Sequence, residues 1–150
     1  WEPMISLERI KEIKRIIMDK IRHRRIRVKF NKPERSILEG IFARGDRRLG
    51  QVILHAWQDG CRFDSWDDHF DYNKWKIAFE KAGLDENFYL SRERREGEVL
   101  PWEHLNCGLI KEFLIKERKR SFEQEFTPDC FTDDCPDCGA CARSEHYVKN

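Results

Sequence analysis

Apolar residues return every three or four positions along most of this chain, with polar residues between them, which is the spacing of amphipathic helices. Leu7, Ile10, Ile13, Ile17 and Ile21 form one such stripe, with Ser6 placed to cap its start. The stripe runs into Arg22-His23-Arg24-Arg25, cations that suit the negative end of a helix. Ile26-Arg27-Val28-Lys29-Phe30 then alternates apolar and basic residues, the period of a short half-buried strand, until Asn31-Lys32-Pro33 interrupts it. Pro33 suits the first turn of a second helix running to Arg44, with Ile37, Leu38, Ile41 and Phe42 inward. Gly45 ends that helix, and Asp46 is placed to cap a third one carrying Leu49, Val52, Ile53, Ala56 and Trp57 inward before Gly60. Asp71 is placed to cap a fourth, with Trp75, Ala78 and Phe79 inward and Gly83 closing it. Residues 85–105 read as turns and short helices, with Arg92–Glu98 an exposed charged stretch. A last long helix is expected from Leu109 to about Phe126, bearing Ile110, Phe113 and Leu114, and Thr127-Pro128 ends it. The fold class that follows is mainly α: a small helical domain with one or two short strands and a cysteine-rich C-terminal tail.

Length sharpens this only a little. A chain of 150 residues can bury one core, and it divides into a helix and strand over 1–30, a helical region over 31–126 and the tail over 127–150. Lys and Arg number 29 against 28 Asp and Glu, so no global charge draws the chain onto nucleic acid or lipid. No apolar run is long enough for a bilayer and no signal segment opens the chain, so no membrane partner is expected. Six cysteines without a secretory signal suit a reducing cytoplasm. Trp1-Glu2-Pro3-Met4 does not read as a natural start, and the chain is expected to open inside a longer polypeptide.

The strongest chemical signal is Cys130, Cys135, Cys138 and Cys141, spaced C-x4-C-x2-C-x2-C. Thiolates bind zinc and iron strongly, and two-residue gaps let neighbouring sulfurs turn onto one centre. Zinc usually takes two C-x2-C pairs separated by a dozen or more residues, whereas these intervals overlap. Iron–sulfur clusters accept compact runs. The opening C-x4-C-x2-C repeats a plant-ferredoxin interval and the closing C-x2-C-x2-C a bacterial one, although neither full pattern is present. Disulfides are the third reading, with Cys61 and Cys107 lying far away in segments that look folded. Gly139 would let backbone approach a metal closely, Pro128 and Pro136 stiffen the loop, and His146 is able to replace a cysteine on zinc.

Weaker signals lie upstream. Arg44, Arg47 and Arg48 surround Asp46 at a helix-to-helix turn, where guanidinium groups grip phosphate or carboxylate, or simply pair with acids such as Asp64 or Asp67. Asp64, Asp67, Asp68, His69 and Asp71 stand among aromatics, a density that suits a hard metal or general-acid chemistry as well as a packed loop. Arg22–Lys29 holds five Arg and Lys without an acid and suits either a phosphate backbone or plain solvent. His23, His55 and His104 stand alone. No Gly-rich phosphate loop, G-x-S-x-G elbow, H-E-x-x-H or C-x3-C-x2-C triplet occurs.

Taken together, HRRIRVKF, LEGIFARGDRRLGQVI, CRFDSWDDHFDYNKWKIAFEKAGLD and the ending EFTPDC with its cysteine intervals resemble the C-terminal portion of a family of radical S-adenosylmethionine proteins with an N-terminal cobalamin-binding domain. The resemblance spans nearly all 150 residues, and Trp1–Met4 resembles the residues just after that family's barrel. It implies that cobalamin, S-adenosylmethionine and a [4Fe-4S] cluster belong to upstream domains, which would be this chain's partners. This chain would then be the accessory domain, inactive alone, and its cysteine tail an auxiliary iron–sulfur site. Arg44, Asp46, Arg47, Arg48, Asp64, Asp68 and His69 would face the barrel and its substrate. The alternative is a zinc-stapled module that presents its basic run to RNA or to a protein.

Overall fold

The computed structural model describes residues 1–143 and is mainly helical. Among these residues there are six α-helices and no strand: α1 Leu7–Lys20, α2 Pro33–Arg44, α3 Leu49–Gln58, α4 Tyr72–Ala82, α5 Glu86–Leu90 and α6 Lys111–Glu123, with a 3-10 turn at Ala140–Arg143. None of these helices is long and apolar enough to cross a membrane. The chain divides into two compact units, Trp1–Arg95 and Glu96–Asn150, a boundary upstream of the tail that the sequence marks out.

The first unit is built on one buried cluster. Ile37, Leu38 and Ile41 from α2, Leu49, Val52 and Ala56 from α3, Trp75, Ala78 and Phe79 from α4, and Tyr89 and Leu90 from α5 are all buried, with Cys61 beside them. Ala56 and Ala78 have no exposed surface, and α3 and α4 make the most extensive helix–helix contact, since small side chains let helix axes approach closely. Phe42 packs edge-on against Trp75 with ring centres 5.4 Å apart.

Local chemistry explains the helix ends. Ser6 accepts the Arg9 N–H at 3.2 Å and opens α1; Asp71 and Asp85 accept the Asn73 and Asn87 N–H groups at 2.9 Å and open α4 and α5. Pro33 sits in the first turn of α2, and Gly83 takes a left-handed conformation to close α4. Gly45 is required for space: a Cβ there would stand 2.0 Å from Leu49 Cδ1 and 2.9 Å from the Ile41 carbonyl oxygen.

Five expectations are corrected. Asp46 does not cap α3: Arg48 holds that position without a side-chain cap bond, and Asp46 accepts the Arg48 N–H from the turn before it. The strand over Ile26–Phe30 is absent, because a strand needs a partner and none lies beside this stretch; Phe30 instead lies under the Lys14 ammonium, 5.3 Å from its ring centre. Ile53 and Trp57 face outward, since the third helix buries only the narrow Leu49–Val52–Ala56 edge. The charged stretch at 92–98 contains a buried residue, Arg94, whose Nη2 donates to the Tyr89 carbonyl at 2.8 Å and to the Arg44 carbonyl at 3.4 Å. The final helix is shorter than its pattern at both ends, Lys111–Glu123, because Ile110 is extended before it and Gln124 turns left-handed at its end.

Arg94 also helps hold the first residues of the chain. Its backbone N–H donates to the Trp1 carbonyl at 2.9 Å, the Met4 N–H donates to the Leu90 carbonyl at 2.7 Å, and Arg44 Nη1 donates to the Glu2 carbonyl at 2.7 Å. Trp1–Met4, although not helical, is stitched to α2 and α5.

Two substitutions test this frame. Phe79→Ala removes a ring that is 2% exposed and should lower stability by about 3–5 kcal/mol, read from urea denaturation. Asp46→Ala removes the carboxylate that accepts the Arg48 N–H at 3.0 Å and should cost about 1 kcal/mol. Arg48 bonded to this carboxylate holds it below the usual aspartate range, so the contribution of Asp46 is present above the unfolded-state value and fades as pH falls through the folded one.

Candidate functional site

The second unit presents a different physical situation. Among its described residues none is buried: α6 has no buried side chain, and Val99, Leu105, Phe122, Phe126 and Phe131 are largely exposed. Five of the six cysteines lie in this unit: Cys107, Cys130, Cys135, Cys138 and Cys141. Polar bonds order its backbone. Thr127 donates to Glu117 Oε2 and accepts from Arg120 at 3.3 Å, and the Thr127 bond holds the Glu117 carboxyl below its usual range. Asp129 accepts the Phe131 N–H at 2.9 Å on its side chain and the Asp133 N–H at 2.8 Å on its carbonyl, making the turn that carries Cys130.

The far end of the tail is tied to the start of α6. The Ile110 N–H donates to the Cys138 carbonyl at 3.0 Å. Gly139 has φ +90°, and a Cβ there would lie 2.8 Å from Ile110 Cγ2 and 2.9 Å from the Gly108 carbonyl oxygen. The close approach that Gly139 permits is therefore to the backbone of 108–110. Gly108 lies against Ala140, so its neighbour Cys107 belongs to the same part of the unit as Cys138 and Cys141. The sequence hides this, because about 30 positions separate the two segments and only a pair of glycines hints at contact.

All six cysteines are thiols and none is in a disulfide. Cys130, Cys135 and Cys141 are exposed and Cys138 is half-buried. Among the described residues, no three His, Cys, Asp or Glu side chains come together so as to hold a metal ion. The donor chemistry suits a soft metal, while the placement is not that of a preassembled centre. His146 lies outside the described residues.

The arginine turn is an internally satisfied structure. Asp46 holds Arg48 through both carboxylate oxygens, at 3.0–3.1 Å to Nε and 2.7 Å to Nη2, while the Arg48 guanidinium lies over Phe88. Arg44 is occupied by Glu2, and Arg47 is exposed. No ion pair links this turn to the aspartate loop: Asp67 pairs with Arg35 at 2.7 Å and with Lys32 at 3.8 Å.

The loop at 63–71 closes one side of a cleft of about 630 Å³, lined in part by Asn31, Arg35, Phe42, Asp64, Phe70 and Trp75. Asp64 Oδ1 accepts from Trp75 Nε1 at 3.2 Å, which fixes the indole. The Arg35 guanidinium lies 5.3 Å from the Phe70 ring centre, and its Nε is buried without a hydrogen-bond partner. Asp68 and His69 are exposed, His69 tilting against Phe63, and neither lines the cleft. Sequence reasoning finds Asp64 here but misses Arg35, whose signal lies only in the fold. Comparison with family models, curated proteins and solved structures finds no match to this chain.

Thiol reactivity follows from burial. Desolvation pushes the Cys61 thiol above its ordinary range, so it has less thiolate at neutral pH than an exposed cysteine. Iodoacetamide on the metal-free native protein near pH 8 should label Cys107, Cys130 and Cys135 and spare Cys61 until denaturant is added, as read by peptide mass spectrometry.

Proposed function

We propose that this chain is a helical accessory module whose cysteine-rich second unit takes up a metal centre and folds around it. One observation carries the reading: a unit with five thiols has no buried side chain among its described residues. Hydrophobic burial does not fix such a unit, and small domains without a core are usually stapled by metal or disulfide. The cysteines form no disulfide, which favours a metal staple. Cys130, Cys135, Cys138 and Cys141 would gather on binding, so that the free energy of metal binding becomes folding free energy.

The metal is an iron–sulfur cluster in the first reading, supported by the compact intervals and by the resemblance to cobalamin-dependent radical S-adenosylmethionine proteins. Within that reading the module works in a reducing cytoplasm beside the cobalamin and radical domains of a larger polypeptide. Exposed Arg47, Asp68 and His69 are the residues of the proposed interface set left without an ion pair or a side-chain hydrogen bond. This chain supplies binding surface and thiolate ligands, with no reaction of its own.

Elemental analysis of protein purified without oxygen tests this. Iron and acid-labile sulfide in matched amounts support the cluster, while one zinc per chain with no iron supports the zinc-stapled alternative. No metal uptake in either form ends the metal reading. Cys138→Ser should abolish uptake. Chelation should create new trypsin sites beyond Arg95 while leaving the cleavage pattern of Trp1–Arg95, including cuts in the exposed Arg22–Lys29 run, unchanged, because among the described residues only the first unit has a hydrophobic core.

A further inference from the structure

The basic run and the aromatic cleft adjoin, and their chemistry converges on one ligand. Between Lys14 and Lys32 there are nine Lys and Arg and one carboxylate, Asp19, in a chain whose overall charge is +1. From Arg22 to Lys29 every cation is exposed, and Arg24, Arg25, Arg27 and Lys29 form no ion pair with any described residue. Elsewhere in the unit, cations such as Lys11, Lys32, Arg35 and Lys81 have carboxylate partners. Nature's usual neutralising acids are missing from this run, which leaves a strip of concentrated positive charge.

The strip leads to Asn31, which lines the cleft described above. That cleft offers the rings of Phe42, Phe70 and Trp75, the Asp64 carboxylate as acceptor and the Arg35 guanidinium as donor. A flat ligand that stacks on an aromatic ring, accepts from a guanidinium N–H and donates to a carboxylate would satisfy these groups. Every RNA base qualifies: cytosine and guanine through a carbonyl and an amino group, adenine through a ring nitrogen and its amino group, uracil through a carbonyl and its ring N–H.

We propose that this first unit binds single-stranded RNA, its phosphates following Arg22–Lys29 and one base entering the cleft between Arg35, Asp64 and Phe70. The run carries neither helix nor strand, which suits an RNA strand met by an arginine-rich segment rather than a rigid helix set in a DNA groove. It does not suit a lipid surface. The exposed apolar residues of α1, Ile16 and Met18, are two positions apart and so point about 200° apart around the helix, leaving no single apolar face to insert.

The test is fluorescence anisotropy of the whole 150-residue chain with labelled oligocytidylate of about 12 nucleotides. Affinity should fall with salt at a log–log slope of about −3.5 for five contacts, and Arg24→Gln/Arg25→Gln should flatten it by about 1.4. Phe70→Leu, with folding checked by thermal denaturation, should weaken binding about fivefold or more without changing the slope. The proposal is overturned by absence of binding at low salt, by a slope indifferent to the arginine pair, or by unchanged affinity in Phe70→Leu. It is equally overturned by duplex DNA binding as tightly as RNA, or by capture on phosphatidylserine vesicles without RNA affinity. None of these readings depends on metal in the tail, so they stand apart from the elemental analysis.

Discussion

Burial around two alanines is the constraint on which the first unit rests. Ala56 and Ala78 have no exposed surface, α3 and α4 make the most extensive helix–helix contact, and Val52 and Phe79 are all but fully buried in the same cluster. Phe42 and Trp75 meet edge to face, one from α2 and one from α4. Trp75 reaches Asp64 from there, so the wall of the cleft is fixed by the same packing that stabilises the unit. A larger side chain at 56 or 78 would push the helices apart and displace the cleft wall as well as the core.

The second unit follows another physical rule. Polar bonds such as those of Thr127 and Asp129, and the Gly139 crossing, order its backbone without enclosing apolar surface. Each such bond contributes about 1 kcal/mol or less in water, which is small against the entropy of ordering a loop. Thiolate–metal bonds are of the size needed to make up the difference. Under the proposed function, the two units divide the work of folding between hydrophobic burial and coordination chemistry.

Much of the first unit was legible from spacing. Ser6, Pro33, Asp71 and Gly83 mark helix ends because their chemistry is local, and Val52, Ala56, Ala78 and Phe79 fall on stripes whose period needs no knowledge of neighbours. What escaped was settled between distant residues. Arg94 looks like one charge among many until Tyr89 and Arg44 present their carbonyls to it. Ile26–Phe30 has the alternation of a strand, but pairing requires a second strand that the fold does not supply. Leu109, Ile110 and Leu114 follow a convincing helical period, yet a period only says which residues share a face, not that something covers it. In the same way, the cysteine intervals announce ligands without saying whether the sulfurs stand ready, and Arg35 joins the cleft only because α2 sets it under the aromatic loop.

The stitching of Trp1–Met4 bears on how this protein should be dissected. A designer guided by helix boundaries would cut just before Leu7 and discard six residues as a leader. That cut would strip acceptors from Arg44 and from the Arg94 N–H, leave the Leu90 carbonyl bare and remove the Ser6 cap of α1, so the shortened fragment would melt earlier although it kept the residues of every helix. The sound incision lies on the other side, after Arg95, where one self-sufficient body ends.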